Sequence, residues 1–316
     1  MQIVATENTI YTSPDASKIF CYTPSILVTP TGRLIVSFDL GGEGVKSIEG
    51  HKSSRAGGSR FGQGKIFISD DNGQKWTFVQ NFPFWHARLF TIGNSIYLIG
   101  HAGDICIMKS EDNGESWSDT YFLTYGEKWH SSACNVLFSN GNVYLAMEQR
   151  CRLNEVTGWD VAGLSPMLFR ACVEDNLCLA SSWSRSEKFI YKEVFDGAKL
   201  DFFGIPFYDC ETNKPKEIAT GINNAPLGWL EANVVKFVDK DHIWHTDLKE
   251  VFHLFLRAHT GGVNYAHLFK IEIQDDQSMI PSLEHTPSGQ KISYIPFPGG
   301  HLKFFIIYDE LTRFCL

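Results

Sequence analysis

Two copies of an eight-residue motif constrain the fold more than any other feature of the sequence. One runs from Ser69 to Trp76 and the other from Ser110 to Trp117, and both read S-x-D-N-G-x-x-W. Each follows a strand-like run. In such a turn the aspartate, Asp71 or Asp112, can accept backbone N–H groups, and the glycine two positions later can adopt positive φ. Two copies at a spacing typical of one β-repeat predict a repeated strand–corner–strand unit.

Six segments follow a common order of polar or aromatic start, strand, turn and second strand. Their turns include Gly93-Asn94 and Asn140-Gly141, which are typical of β-hairpins. No long segment with helical periodicity competes with this pattern. The sequence therefore predicts an all-β protein, a six-bladed β-propeller in which each blade is a four-stranded antiparallel sheet. The six segments begin at Tyr22, Trp85, Trp129, Met167, Trp229 and Pro298.

The predicted propeller is a single domain over residues 1–316. Residues 41–64 and 197–228 are expected to be loops between blades. The run from Gln2 to Tyr11 is expected to supply the strand that closes the ring.

The octets resemble the Asp-box, or BNR repeat, of the sialidase-like superfamily. There the box is a structural corner on the outside of a propeller blade, between its third and fourth strands, so the resemblance implies no catalytic role for Asp71 or Asp112. The segment from Tyr22 to Leu34 is similar to the first-blade Y/F-R-I-P motif of sialidases, but it lacks the arginine and the isoleucine. Because that arginine grips the carboxylate of sialic acid, the resemblance does not extend to sialidase activity itself.

In a propeller the innermost strand of each blade borders the central channel, so polar residues at the starts of these strands are candidates for a site. Each of them also has an ordinary structural interpretation: a hydrogen-bonded rim residue for a histidine, an exposed ion pair for Glu148, core packing for a tryptophan. The predicted catalytic residues are Glu231, Glu148, His130 and His86, and the predicted substrate-binding residues are Arg257, Lys303, His301 and Trp129.

The segment around Glu231 resembles sialidases in the order of its functional residues. The resemblance implies that Glu231 corresponds to the glutamate that activates a tyrosine nucleophile, and Arg257 to a carboxylate-binding arginine. Tyr294 and Tyr308 are candidates for the tyrosine. On chemical grounds, the guanidinium of Arg257 suits a carboxylate, and a glycosidase needs two carboxyl groups flanking the bond, which Glu231 and Glu148 could supply.

The remaining features of the sequence narrow the partners. A net charge of -8 gives no basic footprint for nucleic acid. No apolar run is long enough to span a membrane. No zinc, calcium or phosphate-loop motif is present, so no metal or cofactor is predicted. The N-terminus lacks the charged and apolar regions of a signal peptide, which favours a cytoplasmic protein or a processed secreted or periplasmic form.

The leading hypothesis is a glycoside hydrolase of sialidase-like fold, with an acidic or modified sugar as its substrate. One alternative is a polysaccharide lyase on a uronate-containing glycan, with His86 and His130 abstracting a proton beside a carboxylate neutralised by Arg257. The other is a non-catalytic propeller that binds a glycan or a protein.

Overall fold

The chain divides into two compact units. Unit 1 comprises residues 1–133 and 176–180, and unit 2 comprises residues 134–175 and 181–316. The computed structural model describes residues 7–54, 61–132, 134–152, 161–194, 217–219, 222–223, 228–258, 265–309, 311–312 and 314–315.

The first sheet of unit 1 is antiparallel and is built from the first five strands. Strand β4 lies at its centre and pairs with β2, β3 and β5, while β1 pairs with β2. A 3-10 helix spans Glu43–Ser47. The strands are β1 Phe20–Val28, β2 Leu34–Gly41, β3 Ser53–Ser54, β4 Phe61–Ser69 and β5 Thr77–Phe82.

The prediction that residues 41–64 form a loop is wrong for β3 and for the start of β4. Its glycines suggested a loop, but they make room for aromatic rings. A Cβ atom on Gly62 would lie 1.8 Å from the Trp85 ring, and one on Gly64 would lie 1.9 Å from the Phe82 ring. Glycine in a strand thus marks close approach by a neighbour rather than a break.

The second sheet of unit 1 is a four-stranded antiparallel meander, in which each strand pairs with the next. Ile35 and Ile66 of the first sheet share a buried cluster with Leu98 and Met108 of the second. The strands are β6 Trp85–Ile92, β7 Ser95–Ala102, β8 Asp104–Ser110 and β9 Tyr121–Phe122, and the two-residue β10 Trp129–His130 follows.

Unit 2 also contains two larger antiparallel sheets. In the first, β12 pairs with β11 and with β13, and β13 pairs with β14. The second has the order β17-β18-β19-β20, with β23 also pairing with β19. Tyr144 and Leu168 of the first sheet share a buried cluster with Val234, Phe252 and Phe269 of the second. The strands are β11 Leu137–Ser139, β12 Asn142–Arg150, β13 Leu164–Cys172, β14 Ser184–Arg185, β17 Trp229–Val235, β18 Glu250–Ala258, β19 Tyr265–Ile273, β20 Met279–Ser282 and β23 Tyr294–Pro296.

Three small hairpins and short helical turns complete the described elements. The hairpins are β15 Glu217–Ala219 with β16 Ile222–Asn223, β21 Glu284–His285 with β22 Lys291–Ile292, and β24 Tyr308–Asp309 with β25 Phe314–Cys315. The helical turns are α1 Tyr191–Val194 and 3-10 turns at Val161–Gly163 and Ala180–Ser182. Among the described residues, no helix has the length and apolar character needed to cross a membrane.

The all-β prediction, with four-stranded antiparallel sheets, is confirmed. The fourth predicted hairpin, however, is wrong. Its first run, from Met167 to Arg170, lies in β13 and pairs with β12 of the same sheet, with Leu168 opposite Ala146. The number of blades and the single-domain organisation stay predictions. Residues 197–216, 220–221 and 224–227 of the second predicted loop lie outside the described residues, as do residues 1–6 of the predicted closing strand, while residues 7–11 form no strand.

The two octets form the corners that the sequence predicts. In the first, Asp71 Oδ1 accepts the Lys75 N–H (2.8 Å) and the Ser69 hydroxyl (2.9 Å). Gly73 has φ 81°, and the indole N–H of Trp76 donates to its carbonyl (3.0 Å). The second repeats the aspartate and glycine features between β8 and β9, where Asp112 accepts the Ser116 N–H at 2.9 Å and Gly114 has φ 87°.

Candidate active site

The same irregularity recurs in three strands that carry predicted site residues or their equivalents. Strands β1, β6 and β17 each contain a β-bulge with one residue at positive φ: Thr23 (46°), His86 (54°) and Glu231 (58°). A non-glycine residue in this conformation costs about 1–2 kcal/mol. A bulge also re-aims its side chain out of the strand pattern. The register shifts fall between Tyr22 and Ser25, Trp85 and Arg88, and Leu230 and Asn233.

The bulges define which residues of the repeats are equivalent. Thr23, His86 and Glu231 are equivalent positions. Sequence analysis instead aligned Trp229 with Trp85, which shifts this repeat by one residue. Thr23 was not among the predicted site residues. The signal that could have identified it is its place directly after Tyr22, as His86 directly follows Trp85.

Four of the predicted site residues come together in unit 2. Arg257 Nη1 lies 3.4 Å from Glu231 Oε2, and Arg257 Nε donates to the main-chain oxygen of His301 at 2.9 Å. Glu148 is buried, and its Oε1 accepts the N–H of Ala232, the residue after Glu231, at 3.1 Å. Strands β12 and β17 therefore bring Glu148 and Glu231 to neighbouring positions.

The surroundings of the two carboxyl groups differ. Glu148 is only 1% exposed and lies near the end of β12, between the buried Met147 and Gln149. The Glu231 side chain is 12% exposed and faces a cation. A carboxyl pair in unequal environments is suited to divide the roles of proton donor and charged partner. Arg257 already engages Glu231 and His301, so its geometry favours orienting Glu231 over acting as an open clamp for a substrate carboxylate.

The other predicted residues of this region are less well placed. The ring Nδ1 of His301 is buried and has no hydrogen-bond partner among the described residues, and Lys303 is exposed. Tyr294 is buried, with its hydroxyl 3.1 Å from that of Tyr191, so it belongs to the core and is not open to a substrate. Tyr308 is 40% exposed on β24.

Two buried asparagines hold the bulged strand β17 in place. Asn135 accepts the Val234 N–H through Oδ1 and donates to the Val234 carbonyl through Nδ2, both at 2.7 Å. Asn233 Oδ1 accepts the Ile306 N–H at 3.1 Å. Because a buried amide that loses its partners is costly, these contacts fix the backbone that presents Glu231.

In unit 1 the predicted His86 and His130 come together with a third histidine. His101 Nε2 lies 3.3 Å from His86 Nδ1, and the ring centroids of His86 and His130 are 5.3 Å apart. His101 and His130 are buried, and His86 is half-buried. The backbone N–H of His86 donates to Asp39 Oδ1 at 3.0 Å. Arg88, also buried, donates to the Ser131 hydroxyl.

Sequence analysis missed His101, Arg88 and Asp39. Each lies in an apolar strand where a titratable side chain is unusual. A search for buried charge in apolar runs would have identified all three.

Trp129 is a packing residue in this structure. It is 1% exposed, and its indole N–H donates to Glu127 Oε2 at 2.9 Å. Stacking on a sugar requires an exposed ring face, and the role of Trp129 in substrate binding stays a prediction. In the part of the chain that the structure describes, no three histidine, cysteine or acidic side chains are placed to hold a metal ion.

Comparison with known proteins gives matches among solved structures only; no family model and no curated protein matches the chain. An alpha-L-arabinanase from Penicillium chrysogenum, complexed with arabinobiose, is 12% identical with a TM-score of 0.42, covering 89% of this chain and 72% of that one. An alpha-L-arabinofuranosidase from Lactobacillus brevis is 13% identical (TM-score 0.47; 85% and 80%). The NanB sialidase from Streptococcus pneumoniae is 10% identical (TM-score 0.49; 92% and 51%).

Proposed function

We propose that the chain is a glycoside hydrolase acting on an acidic or modified sugar, with Glu148 and Glu231 as its carboxyl pair. The observation that supports this most is the hydrogen bond from the Ala232 amide to Glu148, which joins β17, the strand of Glu231, to β12, the strand of Glu148. The ion pair of Glu231 with Arg257 adds a cation at one side of the pair. Most glycoside hydrolases cleave the glycosidic bond with a pair of carboxyl groups.

The unequal environments assign a role to each carboxyl group. Glu148, removed from solvent, is suited to carry a proton and deliver it to the leaving oxygen. Glu231, held by Arg257 on its bulge, is suited to act as the charged partner, either as base toward water or as nucleophile. Arg257 acts as a positioning residue for Glu231. His301 contributes its carbonyl to hold Arg257.

Turnover on a panel of acidic glycans, including sialosides and uronate polymers, tests this proposal. Reducing-end and ultraviolet readouts are recorded together. Product from the wild-type chain should fall by at least about 100-fold in Glu148→Gln and in Glu231→Gln, the size expected for loss of an acid or base. Glu272→Gln, which changes an ion-paired glutamate on β19, is the matched control and should keep full activity. Undiminished turnover in the two site variants would reject the carboxyl pair.

A polysaccharide lyase is the second candidate, favoured by the contact between His86 and His101. Proton abstraction from a uronate would yield an unsaturated product with new ultraviolet absorbance, lost in His86→Gln and retained in Glu231→Gln. Saturable binding of a glycan by the folded protein, without either product, would instead favour the binding propeller.

A further inference from the structure

The geometry of the histidine group in unit 1 carries an inference beyond the proposed hydrolase. We propose that His86 and His101 form an acid–base pair: His86 carries the exchangeable proton, and His101 is the neutral partner that holds it. His101 is thereby a positioning residue. The pair would transfer a proton to or from a bound glycan, which is the step that the lyase candidate needs, but the pair itself does not depend on that candidate.

The contact between His86 and His101 can hold only one proton between the two rings. His101 Nε2 and His86 Nδ1 face each other at 3.3 Å, with the rings inclined at 67°. A hydrogen bond between two imidazole nitrogens needs one N–H and one lone pair. If both facing nitrogens carried protons, the bond would be lost. The intact pair therefore holds one proton between its rings and at most one positive charge.

The two rings of the pair differ in how well they can carry the positive charge. His101 is 2% exposed, whereas His86 is half-buried. Burial disfavours the charged form of an imidazole, so the charge resides on His86. Among the charged and titratable groups that the structure describes near His86, Asp39 on β2 accepts its backbone N–H and favours a positive charge, and Arg88 on its own strand opposes one. The ring centroid of His130 lies 5.3 Å from that of His86.

Each proton of the pair can be assigned to a ring nitrogen. When His86 is protonated, its Nδ1–H donates to Nε2 of His101, which then carries its own hydrogen on Nδ1. The second proton of the His86 ring sits on Nε2, the nitrogen directed away from His101. Deprotonation at Nε2 leaves neutral His86 with its Nδ1–H bond to His101 intact. The proton that enters or leaves the pair thus passes through His86 Nε2, and no other bond is made or broken.

Nitrogen NMR of the full chain, labelled at its histidines, tests this directly. The imidazole shifts report the protonation state and tautomer of each ring between about pH 5 and pH 8. We expect His86 to gain a proton in this range while His101 stays neutral. The signals of His285, whose side chain is exposed, serve as the internal reference for comparing the spectra of the variants.

Two substitutions at position 101 separate the positioning role from simple packing. His101→Phe keeps a ring but removes the acceptor, and should lower the midpoint of the His86 titration by about one pH unit, because the protonated form loses a charge-assisted hydrogen bond. His101→Gln supplies an amide oxygen and should restore most of that shift. An unchanged His86 midpoint in His101→Phe, or a His101 ring that takes up the proton before His86, would overturn the proposal. If His101→Phe does not fold, the wild-type titration and His101→Gln decide it.

This measurement needs no substrate, so its outcome is separate from that of the proposed function. A chain without turnover on any glycan would reject the hydrolase and lyase proposals and leave the titration result to be read by itself. If lyase turnover is found, the acidic limb of its pH–rate profile should move in His101→Phe in the same direction as the His86 midpoint.

Discussion

Thr23 carries an unusual backbone for its residue type. A β-branched residue at positive φ is strained, and Thr23 also precedes a proline, which further disfavours helical conformations at that position. Its equivalents, His86 and Glu231, are both predicted site residues. Strain of this kind is typically kept where the surrounding structure fixes it, often at functional sites.

Replacing Thr23 by glycine should therefore stabilise the protein. Glycine removes the αL cost of about 1–2 kcal/mol, but its larger loss of conformational entropy on folding costs about 0.5–1 kcal/mol, so a net gain of up to about 1.5 kcal/mol is expected. Urea unfolding measures it. Thr23→Ala is the matched control, since it shortens the side chain and keeps the strain. A glycine variant less stable than the alanine variant would show that the bulge is unstrained.

Site residues differ in how far the sequence could predict them. Glu231, His86 and His130 were predicted because they follow an apolar or aromatic residue at a strand start, a pattern visible along the chain. The contact of His86 with His101 depends on the register of β6 against β7 beyond a bulge, which no local pattern encodes.

At the scale of elements, buried amides connect strand β17 to its neighbours. Asn233 is fully buried; its Oδ1 accepts the Ile306 N–H, and its Nδ2 donates to the Phe304 carbonyl at 3.2 Å. Asn233→Ala should lower the free energy of unfolding by about 2–4 kcal/mol, because it leaves buried backbone groups without partners. Hydrogen exchange should accelerate at the Ile306 amide more than at the Leu254 amide of β18.

Ser25 offers the matched comparison in unit 1. Ser25 is half-buried, and its hydroxyl accepts a hydrogen bond from the Leu89 N–H at 3.0 Å. Ser25→Ala should therefore cost less, about 1 kcal/mol, with faster exchange at Leu89. A cost equal to that of Asn233→Ala would show that the number of bonds does not set the effect.

Elements were predictable where local chemistry decides them. The two octets specify their corners through Asp71 and Asp112, and the structure confirms those contacts. Strand β13 was assigned to a separate hairpin because a buried apolar run looks the same whether it starts a sheet or continues one. The glycines of β4 were interpreted as a loop because their role, leaving space for Trp85 and Phe82, exists only after packing.

At the scale of the whole molecule, one buried histidine makes stability depend on pH. His267 is fully buried among the rings of Trp229, Tyr191 and Tyr294. Burial lowers its pKa from 6.5 to about 3. The unfolded chain therefore takes up a proton at this residue below about pH 6.5, while the folded chain stays neutral there until about pH 3. Stability from this group is present above pH 6.5 and is lost as the pH falls.

His267→Phe should remove that part of the pH dependence. At pH 5 the wild-type histidine costs about 2 kcal/mol relative to pH 7, so the fall in unfolding free energy between these pH values should shrink by about that amount in the variant. Urea unfolding at both pH values measures the difference. Ser293→Ala removes the hydroxyl 3.2 Å from His267 Nδ1 and should keep the wild-type pH dependence. An identical fall in wild type and His267→Phe would contradict the assignment.

The repeated bulge separates the fold of this protein from its chemistry. Threonine, histidine and glutamate occupy one backbone conformation at Thr23, His86 and Glu231, so the strand pairing around each position does not depend on which of them is present. Reactivity can then change through single substitutions while the sheets stay as they are. A laboratory-evolution library should therefore begin at these three positions, because the bulge turns each side chain out of the strand pattern.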